Sequence, residues 1–426
     1  MGKNEAPGAG AHQRADGAQK SPPSFSDYQH KIYIDGTCGT LPPMTTNPNL
    51  WEAAAKQVME PKNFDYAQGG AGSGETIRKN REAFQRWSIV PRMVQGNTKR
   101  SMKVQVLGEE WPAPVAVAPV GVNRIFHPDG ECGVARAAGA VGVPYVLSTF
   151  ASASPEEVAV AQESASADGP GIRWLQLYWP QSVDHDLTRS ILRRAKAAGY
   201  TALVITVDIF SMSWRPQDLD NAWLPLYEGH STALGFTDPV FRRKFHEKYG
   251  SWPEDDVLKG ALEWEATIFP NVAHSWPELE FLRREWTGKI LVKGIQTAAD
   301  AEHAVHAGVD GIIVSNHGGR QYDGARGSLD ALLEVAQAVG RRVDVLFDSG
   351  VRTGADITKA LCLGAKAVLV GRPVVYGLGA RGEEGAAHVL RCLLADLEIN
   401  LALTGVHDVT ELKPHMLTRH DSGSKL

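Results

Sequence analysis

Residues 314–321 read VSNHGGRQ, so His317 and Arg320 flank two glycines directly after the apolar run at 311–314. Titratable and charged side chains rarely end a buried strand unless a task holds them there. An imidazole in that place can take a proton. A carboxylate opposed to it raises its basicity and steadies the imidazolium, and a guanidinium can clamp a substrate carboxylate bidentately. Asp208, which follows the run ALVITV, is the candidate carboxylate. Lys293, at the end of KILVKG, would set a fixed positive charge where negative charge on a cofactor needs stabilising. Taken singly, each residue has a plainer alternative, a structural histidine or a lysine snorkelling to water. Their clustering shifts the balance towards chemistry.

A second set suits phosphate. The stretch DSGVRTGADI (348–357) offers Asp348, a glycine turn at Gly350 and Arg352 leading into a helix N-terminus, and GRP (371–373) adds Gly371 and Arg372. Helix N-termini and guanidinium forks are the natural partners of a phosphate, and barrels often place one after strands seven and eight. The alternative is glycine turns with surface arginines. GGAGSG at 69–74 has the wrong spacing for a dinucleotide fingerprint and reads as a turn.

The elements that must carry these groups are eight short apolar runs: VAVA at 115, YVLS at 145, RWLQLY at 173, ALVITV at 202, KILVKG at 289, GIIVSN at 311, VDVLFD at 343 and AVLVG at 367. Most are continuous rather than alternating, as expected of strands buried on both faces. Between them lie Ala-rich helical segments such as LTRSILRRAKAAG and AADAEHAVHAG, which end in glycine or alanine at the C-cap. Eight strand–helix repeats predict an α/β fold of the (β/α)8 TIM-barrel type, with an open doubly wound sheet as runner-up. A barrel gathers its chemistry at the C-terminal strand ends. Those ends offer Gln176 and Tyr178 on the third, Thr206 and Asp208 on the fourth, Lys293 on the fifth and Ser315, His317 and Arg320 on the sixth. The seventh and eighth carry the phosphate set. About 80 residues separate the fourth and fifth runs, so a lid insertion at about 216–288 is expected, with Trp214, Arg215, Trp223, Tyr227, Phe236 and Phe241 in or beside it.

Composition excludes several classes. The chain of 426 residues carries 44 Lys plus Arg against 49 Asp plus Glu, a net charge of −5, which argues against nucleic acid as a partner. Four scattered cysteines without a C-x-x-C pair suggest neither a zinc site nor a disulfide framework, and no metal is expected. No apolar run reaches membrane-spanning length. Residues 1–27 read as a disordered tail, 28–413 as the barrel, and 414–426 as a tail ending in Ser424, Lys425 and Leu426, the address read by the peroxisomal import receptor. Peroxisomal localisation is the expectation.

With these residues in view, SNHGGRQ, LVKGI, QLYW, VITVD and FDSGVRTGADITKALCLGAKAVLVGRP resemble the FMN-dependent 2-hydroxy acid oxidase and dehydrogenase family over about residues 28–413. The stretches ALVITVD, WRPQDL and TDPVFRRKF and the long insertion look closest to the lactate 2-monooxygenase type, and more distantly to glycolate oxidase. The resemblance implies that His317 is the base and Asp208 its orienting carboxylate. Arg320, Arg215 and Tyr66 would hold the substrate carboxylate, and Tyr178 would contact the substrate oxygen. Lys293 would sit at the flavin N1 and O2 edge. Ala118, Pro119, Val120, Ser148, Gln176, Thr206 and Ser315 would surround the ring, with Asp348, Gly350, Arg352, Gly371 and Arg372 at the phosphate. It also implies a homo-oligomer, a tetramer. Phe150 and Ala67 depart from the tryptophan and second tyrosine of glycolate oxidase. Gly121 replaces an alanine of many oxidases, and the missing methyl is expected to give room beside flavin N5.

The expected reaction is oxidation of an (S)-2-hydroxy acid to the 2-oxo acid. Oxygen is the expected acceptor and hydrogen peroxide the second product, since neither a haem-binding stretch before the barrel nor a membrane segment is seen. The nearest alternative is monooxygenase chemistry, lactate going to acetate and CO2. A dehydrogenase for a specialised hydroxy acid is a further alternative. A nucleotide dehydrogenase would need a loop cysteine after a strand end, and none is there. A non-catalytic binding protein would have lost the base or the clamp, and neither is lost.

Overall fold

The computed structural model describes residues 24–96, 100–167 and 169–420. Eight parallel strands close into a barrel: β1 (Val115–Val117), β2 (Tyr145–Leu147), β3 (Arg173–Leu177), β4 (Ala202–Thr206), β5 (Lys289–Ile295), β6 (Gly311–Val314), β7 (Asp344–Phe347) and β8 (Ala367–Val370). Each falls on one of the eight apolar runs, and the open-sheet alternative is excluded because β7 pairs β6 on one side and β8 on the other, and β8 pairs β1. Every residue of β1, β2, β3, β4, β6 and β8 is buried, which explains why the runs do not alternate.

Helices α1 (Gly130–Val141), α2 (Pro155–Ala165), α3 (His185–Ala197), α4 (Leu279–Glu285), α5 (Ala298–His306), α6 (Ser328–Val339), α7 (Gly354–Cys362) and α8 (Arg372–Thr404) follow the strands in turn. Local chemistry fixes their starts. Ser154 and Glu157 form a reciprocal capping box on α2, as Thr353 and Asp356 do on α7. Gly142 ends α1 in a left-handed conformation. A hairpin, Val104–Val106 with Glu109–Trp111, lies at the N-terminal ends of the strands, where fully buried Trp111 packs on Trp174 at 5.1 Å. Its turn is tied to the start of β7 by a hydrogen bond from Leu107 N–H to Asp344.

Both chain ends are more structured than the sequence suggested. A helix begins at Asp27 and packs on α8, with the Tyr28 hydroxyl 2.7 Å from His388 Nδ1 and Ser26 N–H on Glu398. At the other end Leu417–Arg419 pairs antiparallel with Trp87–Ile89. The expected tails at 1–27 and 414–426 therefore shorten at their inner ends. Residues 1–23 and the terminal Ser-Lys-Leu lie outside the described residues. Among the described residues no helix is long and apolar enough to cross a membrane.

The insertion between β4 and α4 sets Trp223 against Tyr66 and also forms a core of its own. Its helices Pro239–Tyr249 and Val257–Ile268 build a small core of their own around Phe241, Phe245 and Trp264. That core is pinned to the flank of α3 by buried Asp238, which accepts from Ser190 and Arg194. Buried apolar surface, rather than the barrel mouth, is what these aromatic residues serve.

Candidate active site

A cleft of about 1040 Å³ opens at the C-terminal ends of the strands. Lining it are Tyr66, Ala118, Pro119, Val120, Ser148, Tyr178, Arg215, Lys293, His317, Arg320, Asp348, Gly350, Arg352, Gly371 and Arg372, all of which the sequence singled out. Gln176, Thr206, Asp208 and Ser315 stand behind that surface as buried or partly buried supports. From the insertion side the walls receive only Ile209, Met212 and Arg215, so no residue of 216–288 lines the cleft.

His317 sits in a strained loop. His317, Gly318 and Gly319 have φ of 58°, 65° and 77°, three successive left-handed residues, of which only the histidine bears a steric cost, about 1–3 kcal/mol. Side chains hold the turn: Ser315 Oγ accepts the His317 N–H at 3.0 Å, Ser349 Oγ the Gly318 N–H at 3.0 Å, and Asn316 Oδ1 the Gly319 N–H at 3.1 Å. Asn316 in turn exchanges amide hydrogen bonds with buried Asn80 at 2.9 and 2.6 Å. The outcome is an imidazole whose Nδ1 lies 2.8 Å from Asp208 Oδ1. With the Nδ1 proton given to the carboxylate, Nε2 carries the lone pair.

Electrostatics agree with that assignment. Burial, together with the Lys293 and Arg215 charges, pushes the His317 pKa below its ordinary value against the pull of Asp208, so the ring is neutral at pH 7. Burial opposes charge on Asp208, but His317 and Lys293 outweigh it and keep the carboxyl ionised. Lys293 is buried as well. Asp348 at 3.1 Å and the more distant Asp208 overcome its desolvation and hold it protonated, and its ammonium also donates to Ser315 at 2.9 Å. A break in register on β5 beside Lys293 places Gly294, at φ 110°, where a Cβ would stand 2.7 Å from that of Asp208. Only glycine lets Asp208 come so close.

Four guanidinium groups converge on the cleft. Arg320 donates to the backbone carbonyls of Tyr66 and Gly69 at 2.7 and 2.8 Å, with its plane 4.9 Å from the Tyr66 ring. Arg215 donates to Ser213, to the Arg320 carbonyl and to Gln321. Arg352 meets the Val351 carbonyl, and Arg372 the carbonyls of Ala67, Gly318 and Gly69. All these acceptors are neutral, and among the described residues no carboxylate pairs with any of the four. Burial, with Arg320 adding repulsion, pushes Arg215 down to about 10, and burial does the same to Arg372. Arg215 is buried and the other three are partly so, and cations held there without a counter-charge are costly, which suits the cleft to receive anions.

Phe150 and Tyr178 line the cleft opposite them, and Phe269 backs both from outside its lining. Phe150, Tyr178 and Phe269 contact one another edge to face or tilted, with centroids 5.0–5.4 Å apart. Burial and the Asp208 charge raise the Tyr178 pKa, so its hydroxyl stays protonated. The expected room at Gly121 is absent: a Cβ there would meet the Phe150 carbonyl oxygen at 2.5 Å and its Cβ at 2.6 Å. Phe150 occupies the space that the missing methyl leaves.

Sequence reasoning did not find Ser349, Asn80, Phe269, Ile209 and Met212. Ser349, at φ 84°, donates to Asp348 and accepts from the His317 loop. Its one signal was its place inside the DSG turn. Asn80 and Phe269 lie far from the strand ends in sequence, and nothing local marks them.

Fold and cleft define a (β/α)8 chain whose cleft sets guanidinium groups in two places, beside the carboxylate-backed imidazole and at the β7 and β8 turns. The family model for FMN-dependent dehydrogenases matches residues 55–419. The chain is 48% identical over 399 residues to the FMN-dependent alpha-hydroxy acid dehydrogenase qulF of Penicillium citrinum, covering 93% of this chain and 97% of that one. It is 37% identical over 376 residues to the peroxisomal (S)-2-hydroxyacid oxidase GLO3 of Arabidopsis thaliana, covering 88% and 97%. Mandelate oxidase solved with 3,3-difluoro-2-hydroxy-3-phenylpropionic acid superimposes with a TM-score of 0.74 at 35% identity, covering 88% and 99%. The chain belongs to the FMN-dependent dehydrogenase family and is an FMN-dependent oxidoreductase of the 2-hydroxy acid-oxidising kind.

The residues present fit FMN. Buried Gln176 Nε2 and Thr206 Oγ1 have no partner within the protein, as expected of groups awaiting the polar edge of an isoalloxazine. Gly350 at φ 96° and Arg352 at the start of α7 suit its phosphate.

Proposed function

We propose that the protein oxidises an (S)-2-hydroxy acid to the 2-oxo acid and passes the two electrons to oxygen, giving hydrogen peroxide. The observation that carries the proposal is the His317–Asp208 couple at 2.8 Å inside a cleft with unpaired guanidinium groups. Arg320 and Arg215 bind the substrate carboxylate, Tyr66 packs beneath Arg320, and Tyr178 donates its hydroxyl hydrogen bond to the substrate oxygen. His317 Nε2 takes one of the two protons that the substrate loses with its two electrons, the other leaving with those electrons to the acceptor, and Asp208 stabilises the imidazolium that forms. Bound FMN supplies the two-electron acceptor. Lys293 holds a fixed positive charge for the ring's N1 and O2 edge. Ala118, Pro119, Val120, Ser148, Gln176, Thr206 and Ser315 hold the ring, while Asp348, Gly350, Arg352, Gly371 and Arg372 hold its phosphate.

The oxidase name and (S) specificity of the plant relative support oxygen as acceptor, whereas the fungal relative is named a dehydrogenase. Product analysis separates the readings. Stoichiometric 2-oxo acid and peroxide from an aerobic reaction is the expected result. Acetate and CO2 from lactate would establish monooxygenase chemistry instead, and reduced flavin that persists in air would establish a dehydrogenase. A peroxisomal site of action is part of the proposal and rests on the Ser-Lys-Leu sequence and on that relative's peroxisomal name. A fluorescent fusion at the N-terminus should be punctate and become diffuse when residues 424–426 are removed. We further propose a homo-oligomer, a tetramer, which light scattering of the purified protein tests.

A further inference from the structure

Glu131 lies on the first turn of α1, fully buried, and makes no contact with the cleft. One of its oxygens accepts the N–H groups of both Asn123 and Ser152 at 2.9 Å, and the other accepts the Ser152 hydroxyl at 2.5 Å. Asn123 belongs to the loop after β1, Ser152 to the loop after β2. A single carboxyl therefore joins two loops that reach the cleft separately, one through Val120 and Gly121 and the other through Ser148 and Phe150.

The join is under load. Val122, a β-branched residue, is held at φ 54° in the left-handed region, where such side chains are rarely found. Its N–H donates to the Phe150 carbonyl at 2.8 Å, and the Ser152 hydroxyl also accepts the Arg124 N–H at 3.0 Å. The same seam brings Phe150 onto Gly121, closer than any side chain at 121 would allow. Without the carboxyl, two backbone N–H groups in the interior lose their acceptor, and Val122 can relax to negative φ. Phe150 is the cleft-facing residue that would move.

We propose that Glu131 is a positioning residue: by clasping the β1 and β2 loops it sets the place of Phe150 and so decides which hydroxy-acid side chains the cleft admits. The proposal rests on the functional reading above. Burial pushes the Glu131 carboxyl above its usual range, and Gln keeps its shape and the acceptor oxygen that the Asn123 and Ser152 N–H groups use.

The test compares Glu131→Ala, Glu131→Gln and Phe150→Ala in the FMN-loaded protein. Glu131→Ala should speed amide exchange at 120–124 and 149–153 together while leaving the 350–354 turn unchanged. It should also shift the ratio of kcat/KM for mandelate over lactate at least tenfold towards mandelate, with kcat on lactate reduced less than kcat/KM. Glu131→Gln should restore the parent ratio within about twofold. Phe150→Ala should shift the ratio the same way, and the double variant should shift it no further. An unchanged ratio in Glu131→Ala, or an additive double variant, overturns the proposal. If Glu131→Ala does not fold, Ser152→Ala carries the same comparison in weaker form, and an unchanged ratio there counts against it equally. If no hydroxy acid reduces the parent's flavin, the functional reading fails. The clasp is then judged on exchange at the two loops alone, and unaltered exchange overturns it.

Discussion

Asp208→Asn removes one charge and almost no volume, which isolates what the carboxylate does for His317. Its Oδ1 lies 2.8 Å from Nδ1. Charge centres about 4 Å apart at an effective dielectric constant near 20 interact by about 4 kcal/mol, and that attraction exists in full only once the imidazole is protonated. The transition state therefore loses about 4 kcal/mol relative to the ground state, or about a thousandfold in rate at 1.36 kcal/mol per tenfold. Anaerobic stopped-flow bleaching of the flavin by saturating hydroxy acid reads that step directly. The sign in pH is fixed too. His317 is active when neutral, so the reduction rate is lost as pH falls through its pKa, which lies below the ordinary value of about 6.5. Asp208 raises that pKa, so Asp208→Asn should move the acid limb further down. A reduction rate within tenfold of the parent, or an acid limb that moves up, would refute the argument.

Other outcomes follow from the same geometry. His317→Gln should keep FMN bound and abolish flavin reduction, and fast reduction in that variant would remove His317 as the base. Arg320→Met should lower kcat/KM by about 2–5 kcal/mol, mostly through substrate affinity, since it strips a guanidinium from a cleft with no spare carboxylate; steady-state kinetics against the binding of a 2-oxo acid checks this. Gly121→Ala drives a methyl into the Phe150 carbonyl at 2.5 Å and should destabilise the holoenzyme by about 1–3 kcal/mol, seen as a lower melting temperature. Gly294→Ala must leave φ 110° or displace Asp208, so it should slow flavin reduction while leaving the phosphate end and FMN affinity unchanged.

The barrel was legible because each strand is buried on both faces and so writes itself as an uninterrupted apolar run, from VAVA at 115 to AVLVG at 367. Site residues were legible for a related reason: polar groups such as Lys293 and His317 stand out at the ends of those runs. Residues that act by shape carry no such contrast. Phe269 reads like any aromatic of the insertion until folding sets it 5.0 Å from Phe150 and Tyr178. The insertion's own core was not legible, because an amphipathic helix that covers a mouth and one that packs on a flank have the same pattern. Gly121 was misjudged for a further reason. A glycine in sequence announces a missing methyl, and whether the space stays open depends on a neighbour from another loop.

Arg320 and Arg372 both grip the backbone carbonyls of residues 66–69, across 254 and 305 positions of chain. The anion-binding end of the cleft is thus stitched between a helix that precedes the barrel and two of its last turns. Local folding of either part leaves the guanidinium groups without their carbonyl cradle, and the loop-closure entropy of joining them is recovered only when the whole barrel closes. Catalytic competence in this enzyme should consequently appear late and all at once. During unfolding, activity and global structure should disappear over the same denaturant range, with no partly folded but active species between them.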